Sequence, residues 1–239
     1  MISFAELAAA ARAAVAEREQ RVPLEELREA VRQAPGCIDA VSALCCRGRA
    51  VSVIAEVKRA TATFADLTGV GDVAVLARFY EAGGAACVSV VTERLHAHGD
   101  IADLDVVRRA VDVPVMVNDV VVTPYQVHEA RAHGADLLML DSRLQTIVLE
   151  SLIERTHSLG MLAVVEAHSR REAVTAVEAG ARAIFVDARD PLSLQVDRSR
   201  FEQVAEVLSG SVMRIAGGGV AGARDVMTYV RTGADVVLV

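Results

Sequence analysis

Residues Val51 to Thr63 read VSVIAEVKRATAT, and this stretch decides the fold. Val51, Val53 and Ile54 are β-branched, and the apolar run ends abruptly at Glu56 and Lys58 before a small, hydroxyl-bearing segment. An apolar run of this length, bounded by polar residues, is the pattern of a strand buried on both faces of a parallel sheet. Glu56 and Lys58 are two residues apart, so they point to the same side of that strand. The carboxyl end of a buried parallel strand is where α/β proteins build their sites. A site-bearing first strand is the expectation.

From Val51 onward, strand and helix patterns alternate to the end of the sequence. Strands are predicted over 51–57, 86–91, 113–118, 136–140, 162–166, 183–187, 212–216 and 235–239. Helices are predicted around 72–82, 101–110, 124–132, 146–159, 169–179, 198–208 and 222–232. Eight strands with helices between them give an α/β fold of the (β/α)8 TIM-barrel class. Gly84-Ala85, Gly134-Ala135, Gly180-Ala181 and Gly233-Ala234 each close a helix and launch a strand. They recur at roughly the length of two βα units, an internal repeat that supports the barrel. A doubly wound open sheet shares the alternation, but no GxGxxG follows the first strand, which weakens its dinucleotide-binding version. Val239 falls at the end of the eighth predicted strand, so the expected barrel has no last helix in this sequence.

Ahead of the barrel (51–239), residues 1–50 read as a helical extension packed on it. Ser3-x-x-Glu6 is a capping-box pattern, followed at helical spacing by Phe4, Leu7, Ala8, Ala11 and Val15. Pro23 to Gln33 forms a second helical stretch with Leu24, Leu27 and Val31 on one face, stopped by Pro35 and Gly36. A shorter helix around Ile38 to Cys45 leads into the first strand.

With 53% hydrophobic residues in 239, the chain can bury one large core, and with only 3% aromatics that core rests on Val, Ala and Leu. The net charge of −7 leaves no basic surplus for nucleic acid or an anionic membrane, although a phosphorylated small-molecule substrate needs only a local site. No apolar run approaches the roughly 18–20 residues of a membrane span, and no signal-peptide pattern opens the chain. Cys37, Cys45, Cys46 and Cys87 fit neither a zinc pattern nor a disulfide scaffold, so the thiols read as reduced and the protein as cytoplasmic. The expected assembly is a monomer or homodimer.

In a barrel, the strand ends gather at one mouth Glu56 and Lys58, Asn118 and Asp119, Asp141, Glu166 and His168, Asp187 and Arg189, and the turn Gly217-Gly218-Gly219. A Glu and a Lys in one partly buried mouth can serve as base and acid once burial and neighbouring charge tune them. Each residue alone is also compatible with a structural ion pair; the density of the set favours a site. The glycine turn follows the seventh strand, where barrels hold phosphate on bare N–H groups, though a tight turn also suits glycine. No metal is expected: the histidines lack ligand spacing, and Asp119, Asp141 and Asp187 would gather a cation only on neighbouring strands.

These residues carry a resemblance. VIAEVKRATAT, YEAGGAACVSVVTE, PVMVND with TPYQVHEAR, LAVVEAH and AGARAIFVDARD together resemble indole-3-glycerol-phosphate synthases along essentially the whole chain. The resemblance implies a (β/α)8 barrel of tryptophan biosynthesis. Its reaction closes the indole ring of a carboxyphenylamino-deoxyribulose phosphate, releasing CO2 and water without a cofactor. Glu56 and Lys58 match the family's first-strand pair, Glu166 its fifth-strand glutamate, and Arg189 an arginine near the substrate carboxylate. Thr61 and Thr63 stand where the family has loop serines. By this resemblance Glu56 and Glu166 stabilise positive charge or move protons, and Lys58 serves the phosphate or the dehydration.

The departures cluster at the mouth. The family's third strand ends in Lys-Asp-Phe, whose lysine is the general acid of ring closure; this chain has Asn118-Asp119-Val120. An amide donates hydrogen bonds but cannot transfer a proton as an ammonium does. Asp187 replaces an asparagine, Ala216-Gly217-Gly218-Gly219 replaces Ser-Glu-Ser-Gly, and Asp141 stands where the fourth strand ordinarily ends apolar. Phenylalanines expected against the aromatic ring fall at about Ala97 and Val120, so that pocket is expected to be stripped or reshaped. The pattern is that of an enzyme with altered chemistry: a lyase of this type, or a relative repurposed in specialised metabolism. A non-catalytic binding protein is the remaining alternative.

Overall fold

The computed structural model describes residues 3–45, 51–59, 72–190 and 193–239. Thr61, Thr63 and Cys46 lie outside the described residues. Three helices come first: α1 (Phe4–Arg21), α2 (Leu24–Gln33) and α3 (Ala40–Leu44). The strands are β1 (Ser52–Val57), β2 (Cys87–Val91), β3 (Val115–Asn118), β4 (Leu137–Asp141), β5 (Leu162–Glu166), β6 (Ala183–Asp187), β7 (Met213–Gly217) and β8 (Val236–Leu238). Between them run α4 (Val73–Ala82), α5 (Ile101–Arg108), α6 (Pro124–Ala132), α7 (Thr146–Ser158), α8 (Arg170–Glu178), α9 (Ser199–Ala205) and α10 (Ala223–Arg231). The strands pair in parallel in chain order, and β8 returns to β1, so the sheet closes into a barrel. This is the (β/α)8 architecture read from the sequence, and each strand lies within two residues of its predicted bounds. β3 starts late because Pro114 has no N–H to give the ladder. The predicted helix to 208 ends at Ala205, beyond which Val207 and Leu208 make only tighter bonds three residues back.

Inward and outward side chains alternate along every strand. Ile54, Cys87, Met116, Leu137, Met139, Leu162, Val164, Phe185, Ile215, Val236 and Leu238 pack together inside the barrel. Val57, Val88, Val90, Val115, Val117, Leu138, Leu140, Val165, Ile184, Val186 and Val237 pack outward against the helices. Following the inward register by twos, Ile54 leads to Glu56, Met116 to Asn118, Met139 to Asp141, Val164 to Glu166 and Phe185 to Asp187. The polar residues of the mouth are thus the last members of the inward columns.

The repeated Gly-Ala turns have one geometry. Gly84, Gly134, Gly180 and Gly233 have φ of 91°, 89°, 99° and 99°. The following alanine N–H bonds back to the helix, as from Ala85 to the Tyr80 carbonyl at 3.0 Å and from Ala181 to the Ala176 carbonyl at 2.9 Å. This is the left-handed helix cap that glycine permits and that frees the chain to enter the next strand.

The N-terminal helices rest on α6. Ser3 and Glu6 close the predicted capping box. Arg18 of α1 binds Glu129 of α6 through two bonds of 2.8 and 3.0 Å, and Val15, Leu27 and Tyr125 form a small apolar cluster. Further along, Asp136 ties the extension to the barrel's opposite end: its buried carboxylate accepts from the Ile38 and Val115 N–H groups (2.7 and 2.9 Å) and from Arg108 (2.8 Å). Among the described residues no helix is long and apolar enough to cross a membrane.

Removing one partner of such a buried pair leaves the other charge uncompensated. Asp136→Ala is therefore expected to lower stability by about 3–5 kcal/mol in urea unfolding. A loss below about 1 kcal/mol, the ordinary effect of a point change, would contradict this role.

Candidate active site

Glu56 is the organising group of the mouth. Its side chain is only 7% exposed, and its carboxylate accepts from the Lys58 ammonium at 2.8 Å and from the Asn118 amide at 2.9 Å. Asn118 lies on β3, two strands from Glu56, and Ser89 of β2 is what makes the reach possible. Ser89 is the direct neighbour of Glu56 in the ladder; it is small and fully buried, and its hydroxyl is 3.4 Å from the same carboxylate oxygen. A larger inward side chain at that position would stand between the two.

Glu56, Lys58 and Asn118 line a cavity of about 380 Å³ with Glu166, Phe185, Asp187, Arg189, Gly218 and Gly219. The predicted residues Glu56, Lys58, Asn118, Glu166, Asp187, Arg189, Gly218 and Gly219 are thus brought together. Gly217 is buried beneath the turn, where a side chain would strike the Phe185 ring. Burial holds the Asp187 carboxyl above its ordinary value, and the nearby Glu166 and Glu56 charges add to that, while the Arg189 N–H donated at 2.8 Å opposes it. The Arg189 guanidinium donates to the Leu194 carbonyl at 3.2 Å, which sets it at the rim of the loop after β6.

A second cavity, of about 240 Å³, adjoins the first and shares Asn118 and Glu166 with it. Phe4 and Leu7 of α1, Val91, Ala97, Val120, Met139 and Leu140 give it apolar walls, and Glu93, Asp119, Asp141 and Arg143 add charged groups to its lining. The two positions where the resemblance places phenylalanines, Ala97 and Val120, fall on this cavity. Its one aromatic lining residue among those described is Phe4 of the N-terminal helix. The guanidinium of Arg143 sits 4.4 Å from the Phe4 ring centre, a stacking contact that favours this placement. Arg143 also takes both oxygens of Asp141, with Nε at 2.9 and 3.1 Å. Neither Phe4 nor Arg143 was legible as a site residue: one belongs to a helix far ahead of the barrel, the other follows a strand end that the sequence marks only by Asp141.

Asp119, expected at the mouth, lines the second cavity but makes its hydrogen bonds away from Glu56. It accepts from the Thr92 hydroxyl at 2.9 Å and from its neighbour's N–H, Val120, at 2.7 Å. Burial raises its carboxyl above the ordinary value despite these donors. Asp119, Asp141 and Asp187 do not gather, since β5 separates β4 from β6. Among the described residues one group has donor atoms close enough to share a metal ion: Asp141, Glu166 and His168, within 4.8 Å of one another. Arg143 already takes both Asp141 oxygens, and the His168 ring nitrogen Nε2 stands 3.4 Å from Glu166, so the group is satisfied as a cluster of ion pairs.

The glycine turn is a packing requirement as well as a cavity wall. Gly218 and Gly219 have φ of 83° and 63°, and the Gly217 and Gly218 carbonyls accept from the buried Tyr229 hydroxyl at 2.9 and 2.8 Å. A Cβ on Gly218 would overlap the Asp187 carboxylate and lie 2.8 Å from the Arg189 nitrogen.

The sequence profile of the family described as indole-3-glycerol phosphate synthase matches residues 4–239. The chain belongs to the indole-3-glycerol phosphate synthase family. Proteins of that name from Mycolicibacterium vanbaalenii and Mycobacterium tuberculosis are each 49% identical to it over 229 residues, covering 95% of this chain and 84% of theirs. Among solved structures, the N-acetylmannosamine-6-phosphate 2-epimerase of Clostridium perfringens superposes with a TM-score of 0.66 at 15% identity, over 86% of this chain and 91% of its own. A thiamine phosphate pyrophosphorylase from Pyrococcus furiosus gives 0.59 at 18% identity, over 80% and 85%. At these identities the structural likeness is one of fold alone.

Gly218→Ala is expected to push Asp187 off the Arg189 N–H and to cost about 1–3 kcal/mol, the range for a side chain held in a strained backbone region. Urea unfolding measures this; a variant as stable as the parent would contradict the geometry.

Proposed function

We propose that this chain is a carbon–carbon lyase of the indole-3-glycerol-phosphate synthase type with altered chemistry. Its substrate is an arylamino ketose phosphate, of which carboxyphenylamino-deoxyribulose phosphate is the parent, and the reaction is ring closure with loss of CO2 and water. The observation that carries this reading is the pair of joined cavities, one apolar and one polar, meeting at Asn118 and Glu166. An aryl group fits the compartment walled by Phe4, Leu7, Val120 and Met139. A hydroxylated, phosphorylated chain fits the other, with Gly218 and Gly219 as the anion end and Arg189 at the rim.

Within that pose Glu166 faces the reacting centre from both compartments. Glu56 and Lys58 stand beside it as a hydrogen-bonded pair, so Lys58 delivers positive charge to the substrate's oxygens while Glu56 disperses the charge that builds on the ring nitrogen. Asn118 donates its amide to Glu56 and serves as a hydrogen-bonding wall, not as an acid. Thr61 and Thr63 belong to this reading by sequence only. No cofactor enters the reaction. A second reading, a substrate other than the parent compound, is favoured by the Asp141–Arg143 pair, which places hydrogen-bonding charge in the aryl compartment.

Purified protein given the parent substrate is expected to produce indole fluorescence slowly. Asn118→Lys is expected to raise the rate by about 10²–10⁴, the usual contribution of a positioned general acid. No turnover by either protein at high enzyme concentration would overturn the lyase reading and leave binding without catalysis.

A further inference from the structure

Behind Glu166 stands a built arrangement that the roles assigned so far do not use. Glu172, in the first turn of α8, has one carboxylate oxygen that accepts three times: from the Ser142 hydroxyl at 2.7 Å, from the His168 backbone N–H at 2.9 Å and from the His168 ring at Nδ1, 3.1 Å away. With Nδ1 committed to Glu172, the ring is oriented and its tautomer fixed, and Nε2 is presented to Glu166 Oε1 at 3.4 Å. Among the described residues Glu166 is the one carboxylate that lines both compartments. The His168 side chain is a quarter exposed, which leaves the ring open to proton exchange with solvent.

The chemistry of the proposed reaction supplies a use. Ring closure puts the ketose carbon where the carboxylate stood, and the carbonyl oxygen ends as water with two protons, of which one is offset by the C–H proton lost as the indole ring forms, so each turnover takes up one proton. Loss of the hydroxyl as water also requires that oxygen to be protonated as its C–O bond breaks. In this chain Asn118 cannot provide a proton, and Lys58 is bonded to Glu56.

We infer that His168, held by Glu172, is a positioning residue that feeds protons from solvent to Glu166, which hands them to the substrate. The inference rests on the lyase reading above. In each cycle the Nε2 proton of His168 passes to the Glu166 carboxylate and on to the departing hydroxyl oxygen. That oxygen keeps the electron pair of its broken C–O bond and leaves as water. Neutral His168 retains its Nδ1–H bond to Glu172 and takes a new proton at Nε2 from solvent, which restores the starting state.

The groups facing the imidazole set the direction of its titration. Burial disfavours the charged ring, but the Glu166 hydrogen bond and charge and the Asp141 charge outweigh it, with Arg143 opposing, so the ring titrates above its ordinary 6.5. The three donors, His168 among them, outweigh the burial of Glu172 and keep it below the usual carboxylate value. The charged, proton-giving form therefore prevails below the raised value and is lost as pH rises through it.

The test is the pH profile of kcat for the parent protein, His168→Asn and Glu172→Gln. The parent is expected to lose activity on an alkaline limb in the histidine range. Glu172→Gln is expected to move that limb to lower pH with KM unchanged, and His168→Asn to abolish it with kcat down about 10²–10⁴, as for loss of a positioned acid or base. A uniform fall at all pH values, or limbs unmoved in both variants, would overturn the relay. The His168 ring, followed by nitrogen-15 NMR, gives a reading that needs no turnover. Its midpoint should fall in both Glu172→Gln and Glu166→Gln, and a ring that titrates identically in all three proteins overturns the relay. Absence of turnover in both the parent and Asn118→Lys would instead refute the lyase reading, so the two failures are distinct.

Discussion

The structure of the mouth depends on one buried carboxylate. Glu56, 7% exposed, is held by Lys58 and Asn118, which both donate to it, and Ser89 is small enough to let Asn118 reach across β2. A buried acid without such partners would be costly, since an unpaired charge loses its hydration with no return. The arrangement also fixes what position 118 can do. Its amide is spent on Glu56, so the third strand supplies geometry and Glu56 remains balanced by a single ammonium. The proton chemistry then has to come from elsewhere in the ring of strand ends, and Glu166, backed by His168 and Glu172, is the group positioned for it.

The barrel itself was readable because its signals are local. Apolar runs of strand length, glycine-alanine turns that cap helices and a polar residue at the end of each run are all set by neighbours in sequence. The inward register adds something the sequence states only indirectly. Both faces of each strand are buried, so no alternation of polar and apolar residues marks which side faces the barrel axis. Asn118, Asp141, Glu166 and Asp187 are legible because each is the polar residue that ends its own apolar run, as Glu56 ends the first.

The parts that could not be read depend on contacts between distant elements. Phe4 enters the aryl compartment because α1 is anchored on α6 by Arg18 and Glu129, and nothing near residue 4 signals that destination. Asp119 looked equivalent to Asn118 but falls on the outward register and is captured by Thr92. Arg143 and Glu172 carry no motif; each is defined by the carboxylate or the ring that it holds. The glycine turn is determined twice, by its positive φ angles and by the close approach of Asp187 and Val196, and it also forms a wall of the polar cavity.

The account therefore stands on one spatial claim, that a single substrate spans both compartments with Glu166 between its aryl and ketose ends. The direct measurement is a crystal structure with a non-reacting analogue whose carbonyl is reduced to an alcohol. The account predicts the aryl ring between Phe4 and Met139, the phosphate at Gly218 and Gly219, and a Glu166 oxygen within hydrogen-bond distance of the linking chain. An analogue bound wholly within one compartment, or with its phosphate among the apolar walls, would contradict it.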